Sequence, residues 1–235
     1  MTGAEPRVIA RRIALEGALA AAGFLLALSA LRQELIAGLL LVLYGGRLWL
    51  AADRAQRVYY LGYGAVWMLA DIVFVRTGVF RYAESSLLGP PLYMPLVFGQ
   101  LAVLVGESVG WLTLRPEPRL PVLVDLGLLG AATGALILWH ARPPAGLLIA
   151  FTAALLVRAA LNRFDRRALA VALVFGVGEP VLEALLIQRG LFSFARPGPL
   201  GPPAWYWSFF AFASYSVTRA FVAGTARLRP AARAR

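Results

Sequence analysis

Residues 71–91 read DIVFVRTGVFRYAESSLLGPP, and residues 183–203 read EALLIQRGLFSFARPGPLGPP. The two stretches align without a gap at a shift of 112 residues. Asp71 meets Glu183, Gly78-x-Phe80-x-Tyr82 meets Gly190-x-Phe192-x-Phe194, and Leu88-Gly89-Pro90-Pro91 meets Leu200-Gly201-Pro202-Pro203. Extending the comparison over residues 53–98 gives 12 identities in 46 positions, including Asp53-Arg54 on Asp165-Arg166 and Phe98 on Phe210. Apolar composition raises chance matches among Leu and Val. It does not raise them among Gly, Pro and acidic residues, so the spacing predicts an internal duplication.

The element has a backbone logic. Gly78 and Gly190 fall just past a predicted helix end, where a left-handed cap favours glycine. The Pro-Pro pairs fall at the next predicted helix start, where a missing N–H costs little. The intervening loops are aromatic and are expected to fold back over the helix ends. Their alternative role is as interfacial aromatic belts.

Working outward, the 235 residues are 60% hydrophobic and 15% charged, a balance far from that of a soluble domain. Apolar runs near 13–31, 35–52, 58–76, 92–114, 120–140, 143–161, 168–188 and 203–223 predict eight transmembrane helices joined by short loops. The first run follows Arg11-Arg12 but is long for a signal peptide and carries Glu16, so it is expected to remain as a signal anchor. The expected fold is an all-α integral membrane protein of two parallel four-helix repeats, 1–115 and 116–235, the second ending in a basic tail. An even number of spans per repeat keeps both halves in one orientation, about a pseudo-twofold axis along the membrane normal.

Net charge is +11, and all 23 basic residues are arginine. With the N-terminus inside, six arginines (32, 76, 81, 142, 189 and 196) fall outside and the other 17 fall in the cytoplasm. This predicts a multi-pass inner-membrane protein with both termini cytoplasmic, its charge serving topology and not nucleic acid. The tail from Arg227 is expected to touch anionic lipid. With no Cys, no Lys and one histidine, His140, the chain has no cysteine nucleophile, disulfide, Schiff-base lysine or ordinary zinc site. No metal and no cofactor is expected.

Acids at membrane depth are the candidate catalytic residues: Asp71, Glu183 and Glu179, the last one helical turn from Glu183 on the same face. A neutral carboxylic acid in an apolar pocket can donate a proton and an ionised partner can accept one. The structural alternative pairs Asp71 with Arg76 and Glu183 with Arg189 at the rim. Trp67, Phe80, Tyr82, Tyr93, Phe192, Phe194, Trp205, Tyr206 and Trp207 surround the acids in sequence and, with Gln100, are the candidate substrate-binding residues, since aromatic faces stabilise cations. Glu107 and Arg219 also differ by 112 and are expected to form a structural pair. Asp53 and Asp165 are expected as local caps.

The run Asp71-x4-Arg76-Thr77-Gly78-Val79-Phe80-Arg81-Tyr82, then Leu88-Gly89 and Met94-Pro95-Leu96, resembles the lycopene cyclase domain of the membrane-bound carotenoid cyclases. It is also similar to the carotenoid 1,2-hydratase family. The cyclases' Pro-x-Glu-Glu pattern is replaced by Pro95-Leu96-Val97-Phe98 and Trp207-Ser208-Phe209-Phe210. The resemblance implies a membrane enzyme that cyclises, isomerises or hydrates a lipophilic isoprenoid, carotenoid or terpenoid, by acid–base chemistry at Asp71 and Glu183. Two other functions fit the composition: a small proton-coupled transporter or lipid carrier, with Pro180 and Gly176-Val177-Gly178 breaking a helix, and a non-catalytic membrane scaffold whose acids are all paired internally. The expected partners are a lipophilic small molecule and the bilayer; nothing in the sequence fixes the oligomer.

Overall fold

The computed structural model describes residues 6–29, 31–52, 54–112, 119–161 and 166–225. Asp53, Asp165 and the basic tail lie outside the described residues. Eight helices occupy the described chain: α1 (Pro6–Ala27), α2 (Gln33–Ala51), α3 (Arg54–Arg76), α4 (Met94–Leu112), α5 (Arg119–Trp139), α6 (Pro144–Leu161), α7 (Arg166–Gln188) and α8 (Ala204–Thr225). Two three-residue strands, β1 (Phe80–Tyr82) and β2 (Phe192–Phe194), follow α3 and α7. Among the described residues, three helices hold segments long and apolar enough to cross a membrane: Gln33–Leu50, Gln56–Arg76 and Pro144–Leu161.

The chain divides into two compact units. The first comprises residues 1–70, 91–116 and 221–235, the second 71–90 and 117–220.

In the first unit, α1 packs along α4 and α2. Its core is Ile36, Leu40, Tyr44, Tyr60 and Val103. The Tyr44 hydroxyl donates to the Leu19 carbonyl at 3.0 Å, which ties α2 to α1. Gly64 of α3 lies against the α4 backbone, and a Cβ there would fall 2.4 Å from the Pro95 carbonyl oxygen.

In the second unit, the C-terminal end of α3 and that of α7 close in the same way. Val79 N–H bonds the Phe74 carbonyl and Gly78 N–H the Val75 carbonyl; Leu191 and Gly190 repeat this with Leu186 and Ile187. These are Schellman caps, with Gly78 at φ +75° and Gly190 at φ +71°. Each cap turns the chain into a strand, and β1 and β2 pair antiparallel, with Phe80 opposite Phe194, Arg81 opposite Ser193 and Tyr82 opposite Phe192. Phe80, Phe192 and Phe194 point inward and Arg81 and Ser193 outward, the period-two alternation of a half-buried ribbon. The rings beneath form one aromatic core: Phe80 lies 4.7 Å from Phe192, and Phe194 lies 5.0 Å from Tyr206.

α7 runs unbroken through Pro180. The discontinuous helix expected of a transporter there is therefore absent from this segment. Gly176, at the carbonyl that the proline ring must clear, lies where a Cβ would come within 2.4 Å of Ala211 on α8.

Candidate functional site

Asp71, one and a half turns before the end of α3, is 5% exposed, and Glu179 on α7 is 9% exposed. Glu183 lies one turn beyond Glu179 and is half-buried. The three carboxyls are electrostatic neighbours within the second unit. Two tyrosines reach them. Tyr82, on the ribbon, donates its hydroxyl to Asp71 Oδ2 at 2.6 Å. Tyr206, in the first turn of α8, donates to Glu183 Oε1. Glu183 Oε2 is buried and has no hydrogen-bond partner among the described residues.

The ribbon places Tyr82 because alternation turns it inward beside Phe80. The α8 start places Tyr206 because Pro203 ends the loop and its carbonyl accepts the Tyr206 N–H at 2.9 Å. Arg76 and Arg189 are both exposed, and neither pairs with an acid among the described residues. The rim pairing considered from the sequence is thus replaced by acid–phenol hydrogen bonds.

The aromatic candidates divide between the units. Phe80, Tyr82, Phe192, Phe194, Trp205 and Tyr206 form continuous ring contacts beside the acids. Trp207 is half-buried on α8. Trp67, Tyr93 and Gln100 belong to the first unit. There Trp67 packs between Tyr63 and Phe98, and Tyr93 packs on the Tyr44–Tyr60 core. Gln100 donates to Glu16 Oε2 at 2.8 Å. Glu107, in the first unit, accepts from Gln56, while Arg219, in the second, donates to the Tyr215 hydroxyl at 3.2 Å and stacks over that ring.

Two buried polar sites escaped the sequence reading. In the first unit, Glu16 is 1% exposed and takes both Arg47, at 2.8 Å from Nε, and Gln100. In the second, Asp125 and Arg158 form a bidentate pair, Arg158 Nη2 lying 2.7 Å from Asp125 Oδ2. A signal for the second was present. Asp125 and Arg158 are equally far in sequence from the α5–α6 connection at 140–143, so an antiparallel hairpin brings them level.

Among the described residues, no three His, Asp or Glu are grouped to hold a metal ion. What the acid cluster can do is accept hydrogen bonds: one oxygen each of Asp71 and Glu183 is occupied by a phenol, and Glu183 Oε2 is left to take a donor.

No protein-family model matches this sequence, and no curated protein matches it either. Solved structures do. A mycobacterial Insig homologue, MvINS from Mycobacterium vanbaalenii, is similar at a TM-score of 0.64 and 20% identity, covering 75% of this chain and 96% of that one. A cross-linked trimer of MvINS is similar at 0.63 and 21%, with the same coverage. At this identity the likeness is one of fold: that of an α-helical membrane protein. It corrects the resemblance to carotenoid cyclases and 1,2-hydratases, and the isoprenoid-enzyme reading that rested on it does not stand. The physical reason lies in the motif. Gly78 and Gly190 are helix caps, the alternating aromatics are the inner face of a ribbon, and Pro90-Pro91 and Pro202-Pro203 precede helix starts. A pattern dictated by backbone geometry carries no information about a reaction.

Proposed function

We propose that this chain is a non-catalytic scaffold of the membrane that accommodates a lipophilic molecule. The observation that carries it is that two of the three acids are held internally by phenols, Asp71 by Tyr82 and Glu183 by Tyr206. A carboxyl that accepts a phenol hydrogen bond in an apolar surround fixes helix ends to a ribbon and to a neighbouring helix, which is architecture. The MvINS-like fold supports the same reading. The unpartnered Glu183 Oε2 is the contact offered to a donor group on the bound molecule.

The finer architecture belongs to this proposal. It comprises eight spans in the inner membrane, both termini in the cytoplasm, and two parallel repeats, 1–115 and 116–235. Several paired facts support the duplication. Gly64 and Gly176 are both sites of close helix approach, and a Cβ at Gly89 or Gly201 would press on Val75 or Ile187 respectively. The bridges Ser86–Gly89 and Gly198–Gly201 match as well. Each pair differs by 112.

A double-mutant cycle on Asp71→Asn and Tyr82→Phe, read by thermal unfolding of the detergent-purified chain, tests the scaffold. The expected coupling is about 1–2 kcal/mol, with the same for Glu183→Gln and Tyr206→Phe. Zero coupling in both pairs, together with a lipid product formed by the native chain and lost in Asp71→Asn at unchanged stability, would overturn the reading in favour of chemistry.

A further inference from the structure

The ribbon's outward face is chemically unlike its surroundings. Arg81 and Ser193 are directly opposed across the strands and both exposed. With Phe194 and Ala195 they line an open cavity of about 320 Å³. The two helix-to-helix connections that form this end of the second unit, 76–90 and 189–203, hold four arginines (76, 81, 189 and 196) against one acid, Glu84. None of the four arginines has an ion-pair partner among the described residues.

Apolar side chains stand in the same connections. Leu87 is fully exposed, Leu88 is 47% exposed and Leu200 is 68% exposed. The candidate membrane span Gln56–Arg76 ends four residues before β1, so if that span crosses the bilayer the ribbon follows at its end, next to the headgroups. Unpaired guanidiniums beside protruding leucines are the composition of a surface that enters the lipid interface, with leucine in the acyl region and arginine at the phosphates. In the proposed orientation these arginines lie on the outer side, against the positive-inside trend, so topology does not account for them.

We propose that the Arg81–Ser193 cavity is a binding site for the phosphate of an anionic phospholipid headgroup. The guanidinium presents two parallel N–H donors to two phosphate oxygens, and the Ser193 hydroxyl donates to a third. The strand register holds the two side chains side by side before the lipid arrives. The exposed leucines take the start of the acyl chains. The site is distinct from the acid cluster, which lies on the inward face of the same ribbon.

The full detergent-purified chain, titrated with phosphatidylglycerol and read by native mass spectrometry, tests this. Arg81→Gln is expected to weaken lipid retention about tenfold and Ser193→Ala about threefold, with Arg142→Gln, an exposed arginine on another connection, unchanged. Arg81→Lys, which keeps the charge but not the fork, is expected between native and Arg81→Gln, and it keeps the test decisive if the glutamine variant fails to fold. Inorganic phosphate at the lipid's concentration is expected not to displace it. Equal retention by native, Arg81→Gln and Ser193→Ala, equal losses in Arg81→Gln and Arg142→Gln, or displacement by inorganic phosphate would each overturn the proposal.

Discussion

Arg81 and Ser193 stand directly opposite each other across the ribbon, and they are also equivalent positions under the 112-residue shift. An antiparallel pair of equivalent segments centred on such a position has a local twofold axis through it. The flanking pairs obey that axis, since Phe80 faces Phe194 while Tyr82 faces Phe192. Both members of the central pair point outward and the aromatic residues on either side point inward. One face of the ribbon is therefore built for packing and the other for the interface.

The caps that launch the ribbon depend on glycine. Gly78→Ala and Gly190→Ala place a Cβ in the left-handed region at φ +75° and +71°. Each is expected to destabilise by about 1–2 kcal/mol. Gly17→Ala is the control, because it lies within α1 with nothing within 4 Å of an added Cβ. Thermal unfolding should show the control at or slightly above native stability, since alanine is the better helix former.

The Asp125–Arg158 pair is buried on both sides, with side chains 0% and 3% exposed. Removing one partner strands a charge: Arg158→Met alone or Asp125→Leu alone is expected to cost about 3–5 kcal/mol. The double variant Asp125→Leu with Arg158→Met should recover most of that loss, because it replaces the pair by apolar side chains of similar size. A double variant as unstable as the sum of the single ones would mean that the pair fixes the α5–α6 register in a way packing cannot.

α7 and α8 meet at Gly176. The Cβ of an alanine there would come 2.7 Å from the Ala211 Cα, which is backbone and cannot swing aside. Gly176→Ala is expected to destabilise by about 1–3 kcal/mol through overpacking. Gly64→Ala should behave similarly against the Pro95 carbonyl. Adding Ala211→Gly should restore part of the Gly176→Ala loss and none of the Gly64→Ala loss, which unfolding midpoints in detergent would distinguish.

The sequence by itself determined what local physics controls. The apolar runs fall on helices of the described chain, with ends within seven residues of those observed, and three of those helices hold segments long and apolar enough to cross a membrane. Glycine at 78 and 190 required left-handed caps; the aromatic stretches after them read as loops folding back over the helix ends, and only the structure pairs them as a two-stranded ribbon. The acids at 71 and 179 were legible as buried, and Glu183 as at least half-buried, because a carboxyl inside an apolar run has to face protein.

Tertiary structure decided which groups answer them. Asp71 and Glu183 align at the 112-residue shift, yet their tyrosines do not. Tyr82 comes from the ribbon and Tyr206 from a helix start, because the equivalent of Tyr82 is Phe194 and that of Tyr206 is Met94. Gln100 lies on an expected span with the expected polarity, but it belongs to the first unit, where it serves Glu16 and not the acid cluster. Spacing along a chain fixes which face of a helix a residue occupies. Only the packing of helices distant in sequence fixes what that face meets, and the role of a buried acid follows from its partner.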